Sequence, residues 1–267
     1  STNKGYMLLD NNDILSSEGI SCYLDKKMDV YAYKTIDSTN TQMKKFAVDN
    51  HVDYALIVAE HQSAGRGRFN RVFYSPEKQG IYMSLLLRYN QTFNDATLIT
   101  IQSAVAIKRV IKKLCGIDTK IKWVNDLYYQ GKKICGILTE AISDFESGMI
   151  EAIIIGIGIN VSTKQFPEEL LDKATSLGIE NINRSKFIAL IVNEIFKIID
   201  EDFNNVLNEY KDASCVLNKK VEFRYKGQIY NGIAKDINNL GNLIVKCDNQ
   251  EYTLNSGEVS IIQKNYE

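Results

Sequence analysis

The sequence predicts an α+β protein, in which a mixed or antiparallel sheet flanked by helices is followed by a small β-rich unit. Between residues 29 and 160, strand-like apolar segments alternate with helical ones. Helical periodicity extends over long stretches near residues 92–116 and 183–210. From Val216 onward the pattern changes to short alternating segments separated by turn residues, which is typical of a small β-barrel.

Length and composition indicate a globular protein. The chain has 267 residues, enough for one large domain and a small one. With 45% hydrophobic and 24% charged residues, it is not a disordered chain. A formal net charge of −1 argues against a broad basic face, so we do not expect wholesale nucleic-acid binding by this chain.

The five cysteines are scattered and show no CxxC spacing, which favours reduced thiols over a zinc site or a disulfide framework. The chain opens without a signal peptide and contains no run of about 18 apolar residues, the length that a membrane span needs. We therefore expect a cytoplasmic protein without a membrane segment.

The first elements are predicted from alternation and capping. Residues 1–25 are interpreted as a lead-in with one short possible helix. Residues 29–36 alternate with period two, and Asp37-Ser38-Thr39-Asn40 then supplies N-cap residues for a helix that ends near Val48. A strand that leads into a capped helix is a place where hydroxyls and free N–H groups meet a ligand, although Ser38 could equally be only a cap.

The middle of the chain is predicted to contain most of the sheet. Strands are expected at residues 54–59 and 81–87, followed by a helix that starts at Thr92 or Asn94 and ends at Gly116. The remaining strands are residues 119–123, a hairpin with strands 127–129 and 132–140 around the turn Gln130-Gly131, and a very apolar segment, 149–160, expected near the centre of the sheet.

The last third combines a loop, a helix and the β-rich unit. Residues 161–177 are predicted to form a loop with one short helix. A second long helix, capped by Asn183 or Ser185, is expected to continue to Tyr210 with one apolar face. The β-rich unit carries turn signals at Lys226-Gly227, Asn239-Leu240-Gly241 and Asn255-Ser256-Gly257.

Residues 65–71, which we call the anion loop, contain three arginines and two glycines directly after an apolar strand. Such a segment cannot continue a buried strand, because arginine is rarely buried unpaired and glycine has no side chain to pack. Guanidinium groups beside accessible backbone N–H groups suit a phosphate or a carboxylate. In isolation the segment could also be a solvated basic turn.

Other polar residues also follow apolar strands, at residues 37–40, Gln62, Asn125-Asp126, Lys133 and Asn160. Strands of one sheet could present these groups along one edge or face. Together they offer cations for phosphates, a carboxylate and amides for a metal or for hydroxyls, and glycines that admit a flat ligand (Gly136, Gly156 and Gly158). This set fits phosphoryl or adenylyl chemistry, in which positioning and charge neutralisation supply most of the catalysis.

Familiar nucleotide and hydrolase signatures are absent from the sequence. It has no G-x-x-x-x-G-K-[ST] motif and no G-x-S-x-G motif, and Gly156-Ile157-Gly158 lacks the third glycine of a dinucleotide fingerprint. The two histidines are far from any matching cysteine or glutamate pattern, which argues against a zinc hydrolase.

A series of motifs keeps its order and spacing from about Tyr31 to the C-terminus. Its members are Asp37-Ser38-Thr39-Asn40, Gly65-Arg66-Gly67-Arg68, Lys122-Trp123-Val124-Asn125-Asp126-Leu127-Tyr128, Lys132-Lys133-Ile134-Cys135-Gly136-Ile137-Leu138-Thr139-Glu140, Gly156-Ile157-Gly158-Ile159-Asn160, Phe166-Pro167 and Ala174-Thr175-Ser176-Leu177. This series closely resembles the biotin protein ligase family. Two departures from the family pattern are Val124, where the family's KWPND motif has proline, and Phe69-Asn70 in place of Arg-Gly or Gly-Arg.

The resemblance implies a catalytic domain like that of class II aminoacyl-tRNA synthetases at residues 26–213 and a C-terminal SH3-like β-barrel at residues 214–267, with residues 1–25 as a possible remnant of a winged-helix domain. It implies a two-step reaction: biotin and MgATP form biotinyl-5′-AMP and pyrophosphate, and the adenylate then acylates a lysine of a biotin carboxyl carrier protein, such as that of acetyl-CoA carboxylase. Homodimers are also known in the family.

The family's functional residues transfer to this chain by motif. Lys133, Arg68 and Asp126 would be catalytic, and Asp126 would also contact Mg²⁺. The implied ATP and adenylate residues are Arg68, Trp123, Asn125, Asp126, Lys133 and Asn160. The implied biotin residues are Ser38, Thr39, Asn40, Gln62, Gly65, Arg66, Gly67, Arg68, Lys133, Gly136 and Gly158.

The chemistry of the residues agrees with this assignment. Attack of a carboxylate on an α-phosphate brings two anions together, and Lys133 and Arg68 can offset their repulsion. The structural alternatives are a solvent-facing hairpin lysine for Lys133, a turn former for Asp126 and a core aromatic for Trp123.

Three other functions remain open at this point. A lipoate protein ligase would have a related adenylating fold. A DNA-binding repressor would need a winged helix, and Lys4-Gly5-Tyr6-Met7-Leu8 resembles the end of its wing. A non-catalytic biotin-binding module is disfavoured, because binding alone does not require Lys133, Asp126 and Asn160 together.

Overall fold

The computed structural model describes residues 13–88, 96–143, 150–248 and 250–262. Its helices are α1 (Ser17–Ser21), α2 (Thr39–Asp49), α3 (Ala96–Cys115), α4 (Arg184–Ile199) and α5 (Phe203–Ala213), with short 3₁₀ turns at Arg68–Asn70 and Glu168–Leu170. Its strands are β1 (Asp29–Ile36), β2 (Tyr54–Gln62), β3 (Gly80–Arg88), β4 (Lys120–Lys122), β5 (Asp126–Tyr129), β6 (Lys132–Ser143), β7 (Ile150–Asn160), β8 (Lys220–Tyr225), β9 (Gln228–Ile237), β10 (Leu243–Cys247), β11 (Gln250–Leu254) and β12 (Val259–Ile261).

The larger sheet has seven strands in the order β1-β2-β3-β7-β6-β5-β4. Strand β1 is parallel to β2, and the other neighbouring pairs are antiparallel, so the mixed sheet predicted from the sequence is confirmed. The very apolar strand β7 is central, as its composition indicated. Gln130 and Gly131 both have positive φ and connect β5 to β6 in the predicted hairpin.

Helices cover both faces of this sheet, which explains why its strands are apolar at consecutive positions. On β2, Leu56 and Val58 belong to the main core beside α3 and α4. Their neighbours Ala55 and Ile57 belong to a smaller core that contains Met43 of α2. The functional site lies on the α2 face, beyond the end of this smaller core.

The prediction of one long helix that continues to Tyr210 is wrong, because two helices occupy this stretch. Helix α4, whose N-cap Asn183 accepts a hydrogen bond from the Lys186 N–H as predicted, ends at Ile199. A new helix, α5, starts at Phe203, because the side chain of Asp202 caps it by accepting a hydrogen bond from Asn204 N at 2.8 Å. The apolar faces of both helices still reach the main core, which is why one continuous stripe was apparent in the sequence.

The C-terminal strands form a five-stranded antiparallel sheet in the order β11-β10-β9-β8-β12. In the described ranges the pairing does not return from β12 to β11, so the sheet is not seen to close into a barrel. The Trp123 indole Nε1–H donates to the Gly241 carbonyl at 2.9 Å, which ties this sheet to the larger one.

At the other end of the chain, α1 follows Asp13 and packs on α4, so the short helix expected there is present. The wing-like segment Lys4-Gly5-Tyr6-Met7-Leu8, the expected helix starts at Thr92 and Asn94, and Met149 lie outside the described residues. None of the helices in the described ranges has the length and hydropathy that a membrane crossing requires.

Candidate functional site

A cavity of about 710 Å³ opens on the α2 face of the large sheet, between the anion loop and residues 257–260 of the C-terminal unit. It lies within the range of roughly 300–1,000 Å³ that is usual for small-molecule sites. The predicted site residues that line it are Ser38, Thr39, Asn40, Gln62, Arg66, Gly67, Arg68, Trp123, Asn125, Asp126, Lys133, Gly136, Gly158 and Asn160.

Gly65 is the predicted site residue that does not line this cavity. It is buried, and a Cβ there would lie 2.4 Å from the Phe73 carbonyl oxygen and 2.7 Å from Ser75 Oγ. Phe73 N–H also donates to the Gly65 carbonyl at 2.9 Å. Gly65 therefore allows the two arms of the anion loop to approach each other at its base.

Glycines on β6 and β7 leave the sheet without side chains on the cavity side. Gly136 and Gly158 pair directly across these strands, and Gly156 precedes Gly158 on the same face. The space in front of them is filled by the protein's own side chains. An added Cβ would lie 2.0 Å from Asn40 Oδ1 at Gly156, 2.5 Å from the Phe73 ring at Gly158 and 3.0 Å from Lys133 Nζ at Gly136.

Replacing Gly156 with alanine is expected to destabilise the protein by about 1–3 kcal/mol, because the new methyl group overlaps the buried Asn40 amide. Urea unfolding measures this loss. The matched control is Gly67→Ala, whose Cβ would lie 3.4 Å from its nearest neighbour, the Arg71 carbonyl oxygen. Equal midpoints for Gly156→Ala and the wild type would contradict the overlap.

The start of α2 forms a buried polar recess with the end of β2. Gln62 Oε1 accepts the Thr39 N–H at 2.8 Å, and Gln62 Nε2 donates to Ser75 Oγ at 2.9 Å. Ser38 occupies the N-cap position, but its side chain makes no capping hydrogen bond. Ser38 is also among the residues that line the cavity, as its assignment to the ligand site requires.

The anion loop reaches the cavity through Arg68. This guanidinium donates from NH1 to Asn125 Oδ1 at 3.1 Å, while the Asn125 Nδ2 group donates to the Ile137 carbonyl at 2.8 Å. Burial lowers the pKa of Arg68, and the nearby carboxylates of Asp126 and Glu258 act in the opposite direction. Asn125 thus fixes the direction of a half-buried cation.

The other two arginines of the loop are more exposed. Arg66 lies 3.8 Å from Glu140, and Arg71 pairs with Glu258 of the C-terminal unit. Phe69 and Asn70, the residues that depart from the family pattern, both adopt left-handed backbone conformations with φ of 56° and 58°. Glycine adopts this region without strain, so the loop bends here at an energetic cost.

Lys133 and Asp126 meet on neighbouring strands, with Lys133 Nζ 2.7 Å from Asp126 Oδ1. This Oδ1 atom is buried and accepts no well-aligned hydrogen bond within the described ranges, so the contact is an ion pair by distance alone. Lys133 is not a solvent-facing hairpin lysine, and Asp126 does more than form a turn. The pair places one ammonium and one carboxylate beside the Arg68–Asn125 contact.

Trp123 and Asn160 are both buried at the wall of the cavity. Trp123, 3% exposed, is the core aromatic that the sequence suggested, and its peptide bond to Val124 is cis. Asn160 donates from Nδ2 to the Thr175 carbonyl at 3.0 Å, whereas its Oδ1 atom is buried without a partner in the described structure. That free acceptor is available to a ligand.

Several lining residues were missed by sequence reasoning. Phe73 packs against Gly158, and its signal was an aromatic side chain near the end of an otherwise polar loop. Glu258 belongs to a unit far along the chain, and no local pattern connects it to the anion loop. Other missed lining residues are Tyr74, Lys122, Tyr128, Phe166 and Lys173.

Asp126 is the expected metal contact. Among the described residues, no group of three or more histidine, cysteine or acidic side chains could hold a metal ion. One carboxylate is nevertheless compatible with Mg²⁺, which commonly binds through one or two carboxylates together with substrate phosphates and water. The buried Oδ1 atom of Asp126, which has Lys133 as an ion-pair partner but accepts no well-aligned hydrogen bond, fits such a contact.

Comparison with known families agrees with this geometry. The model of the biotin/lipoate A/B protein ligase family matches residues 32–160, and the model of the biotin protein ligase C terminal domain matches residues 216–261. Residues 32–160 therefore form a domain of the biotin/lipoate A/B protein ligase family. The match includes both the anion loop and the Lys133 strand, and the second match covers the C-terminal sheet.

Individual relatives are similar to this chain in sequence. The chain is 39% identical over 179 residues to the bifunctional ligase/repressor BirA of Bacillus subtilis, covering 65% of this chain and 54% of the relative. It thus spans about half the length of the Bacillus relatives. It is 28% identical over 266 residues to BirA of Escherichia coli, covering 97% of this chain and 81% of the relative.

Among solved structures, the biotin protein ligase from Aquifex aeolicus in complex with biotin and ATP superposes on this chain with a TM-score of 0.74. Its sequence is 26% identical, and the match covers 88% of this chain and 99% of that one. The fold of this biotin/lipoate ligase family member therefore extends through both of its sheets.

Proposed function

We propose that this chain is an ATP-dependent biotin protein ligase. The observation that carries the proposal is the convergence of Arg68, Asn125, Asp126 and Lys133 in a single cavity large enough for two small molecules. The Aquifex structure of this fold contains biotin and ATP, which supports both as substrates here.

The polar recess at the start of α2 is proposed as the biotin end. Ser38, Thr39, Asn40 and Gln62 combine donors and acceptors in a buried setting, as a cyclic urea requires. Gly136 and Gly158 lie on the floor, so a flat ring can approach the strands once Phe73 and Lys133 make room. Arg66, Gly67 and Arg68 border the same recess.

The first step joins biotin to AMP. A carboxylate oxygen of biotin attacks the α-phosphorus of ATP, the bond from that phosphorus to the β-phosphate oxygen breaks, and pyrophosphate leaves. The ammonium of Lys133 and the guanidinium of Arg68 reduce repulsion between the two anions and stabilise the charge of the transition state. Asn160 and Trp123 border the space proposed for the nucleotide.

Mg²⁺ is proposed to accompany ATP, with Asp126 as the protein contact. When bound, the ion would neutralise part of the negative charge of the ATP phosphates. Asp126 and Asn125 orient the ribose and phosphate region.

The second step transfers biotin to a carrier protein. The amine of the acceptor lysine attacks the carbonyl carbon of the mixed anhydride, the bond to the phosphate oxygen breaks, and AMP leaves. The amine must lose a proton, and Asp126 is the proposed acceptor because its carboxylate lies in the cavity.

Replacing Asp126 with asparagine is expected to slow transfer of biotin from preformed biotinyl-5′-AMP by about 10²-fold, the lower range for a lost general base. Transfer to a purified biotin carboxyl carrier domain, followed by mass spectrometry, measures the rate. Asn125→Ala is the comparison, since it disturbs Arg68 but keeps the carboxylate. Wild-type transfer by Asp126→Asn would remove Asp126 from this role.

The decisive test of the proposed function is release of pyrophosphate that depends on added biotin. Purified protein with MgATP should release pyrophosphate with biotin and should not do so with lipoate, which separates the two substrates that the family name includes. Release with lipoate alone would identify a lipoate ligase, and no release with either acid would reject the proposal.

Further parts of the proposal concern organisation and partners. A boundary near residue 213 separates a catalytic domain from the C-terminal unit, whose antiparallel strands and aromatic cluster of Phe223, Tyr230 and Tyr252 are compatible with an SH3-like barrel. The proposed partner is a carboxylase carrier protein in the cytoplasm. Homodimers, and operator binding by a longer form, are tested by light scattering and gel shift.

A further inference from the structure

Glu140 lies on the same face of β6 as Gly136 and Leu138, two residues beyond the lining of the cavity. Its Oε2 atom accepts a hydrogen bond from Asn40 Nδ2 at 3.0 Å, and its Oε1 atom accepts one from Lys44 Nζ at 2.7 Å. Its side chain is 19% exposed. None of the roles assigned above uses this carboxylate.

Asn40 connects Glu140 to the polar recess. Its Nδ2 group also donates to the Leu138 carbonyl at 3.2 Å, and its Oδ1 atom accepts a hydrogen bond from Ser84 Oγ at 2.5 Å. Ser84 Oγ also lies 2.8 Å from Thr39 Oγ1, which is itself 3.2 Å from Gln62 Oε1. Four consecutive contacts therefore join Glu140 to Gln62.

The direction of the hydrogen bonds in this series of contacts is determined at its Glu140 end. An ionised carboxylate and a backbone carbonyl can only accept, so Asn40 must present its amide N–H groups to Glu140 and Leu138 and its oxygen to Ser84. The shorter contact places the single proton of Ser84 mainly on Asn40 Oδ1, with Thr39 Oγ1 as its second acceptor. Thr39 has one hydroxyl proton of its own, which it donates to Gln62 Oε1.

The charge state of Glu140 supports this order. Burial raises the pKa of Glu140, but the contacts with Lys44, Asn40 and Arg66 outweigh it and hold the pKa below its usual value. The carboxylate is therefore ionised at neutral pH. A neutral amide in its place could either donate or accept, so only the longer contact to the Leu138 carbonyl would still hold the Asn40 amide in this orientation.

We infer that Glu140 is a positioning residue that fixes which atoms of the biotin recess donate and which accept hydrogen bonds, by fixing the orientation of Asn40. This inference rests on the proposed function and concerns the same cavity. A recess of fixed polarity favours a ligand with a matching pattern of donors and acceptors, because a mismatched ligand leaves buried polar groups unpaired. Gly156 contributes by leaving room for the Asn40 amide.

The test compares Glu140→Gln with the wild type, using biotin and 2-iminobiotin. Iminobiotin carries a nitrogen where biotin has its carbonyl oxygen, so it exchanges an acceptor for a donor. In Glu140→Gln we expect the dissociation constant of biotin, measured by calorimetry, to rise about tenfold. We expect the dissociation constant of iminobiotin to change less than threefold. The ratio of the two dissociation constants, which measures the preference for biotin, therefore becomes smaller.

Lys44→Met is the matched control, since it removes the other partner of Glu140 while leaving the Glu140 contact to Asn40 in place. We expect it to keep the wild-type preference for biotin. Glu140→Asp retains the charge and should restore part of the preference. Thermal unfolding is measured for each variant, and midpoints within a few degrees of the wild type separate binding effects from loss of structure.

The outcomes distinguish the two proposals. A wild type that binds biotin, together with a Glu140→Gln variant of unchanged preference, would overturn the inference alone. An equal loss of the preference for biotin in Glu140→Gln and Lys44→Met would also overturn the inference, because it would assign the effect to the ion pair between Lys44 and Glu140. A wild type that does not bind biotin would overturn the proposed function and this inference with it.

Discussion

Replacing Lys133 with alanine is expected to reduce the rate of adenylate formation by roughly 10²- to 10³-fold, the usual loss when one group that stabilises transition-state charge is removed. The ammonium of Lys133 lies beside Asp126, and removing it leaves a negative group near the place where two further anions must meet. Biotin-dependent pyrophosphate release in a single turnover measures the change.

The fold should survive this substitution, because the Lys133 side chain is 31% exposed and fills little of the core. Circular dichroism and thermal unfolding check that expectation. Lys132→Ala is the matched control, since this neighbour directs its ammonium to the Leu171 carbonyl, away from Asp126. A normal burst of pyrophosphate from folded Lys133→Ala protein would exclude Lys133 from the chemistry.

Replacing Arg68 with glycine is expected to increase the dissociation rate of biotinyl-5′-AMP by about 10²-fold and that of biotin by less than fivefold. The lost contact is the one proposed to the α-phosphate, and hydrogen bonds to charged groups contribute about 1.5–3 kcal/mol each. Biotin has no phosphate, so it should be affected only through loosening of the anion loop. Stopped-flow fluorescence of Trp123, the single tryptophan, would follow both ligands.

Arg71→Gly is the control for this experiment. It makes the same chemical change in the same loop, but Arg71 is 66% exposed and pairs with Glu258. Exposed ion pairs contribute little, so its effect on adenylate release should stay within a few-fold. Dissociation rates that change by equal factors for biotin and for the adenylate in Arg68→Gly would show that no specific phosphate contact was lost.

Local sequence pattern predicted most of the elements. Alternation located β1, the apolar run located β7, and Gln130-Gly131 located the hairpin, because each depends on neighbours within a few residues. The separation of α4 from α5 was missed, since both helices bury the same stripe and only the cap at Asp202 divides them. Strand order depends on pairing between distant segments, which no local pattern contains.

The sequence predicted which residues belong to the candidate site better than it predicted the contacts among them. The polar residues after each strand do line one cavity. The functions of the glycines were harder to foresee, because the atoms that fill the space in front of Gly156 and Gly158 belong to Asn40 and Phe73, more than 80 positions earlier in the chain. Glu258 had no visible signal, since a single glutamate in a turn is ordinary, and Glu140 was noted only as the last residue of a motif, without a role.

The contact from the Trp123 indole to the Gly241 carbonyl has a practical consequence for dissecting the protein. Residues 257–260 form one wall of the cavity, and this buried hydrogen bond holds their sheet in place beside it. A fragment that ends at Ala213 would expose the indole and lose that wall together with the partner of Arg71. Activity lost on such shortening would therefore measure an incomplete binding site, and would not by itself assign a catalytic group to the C-terminal strands.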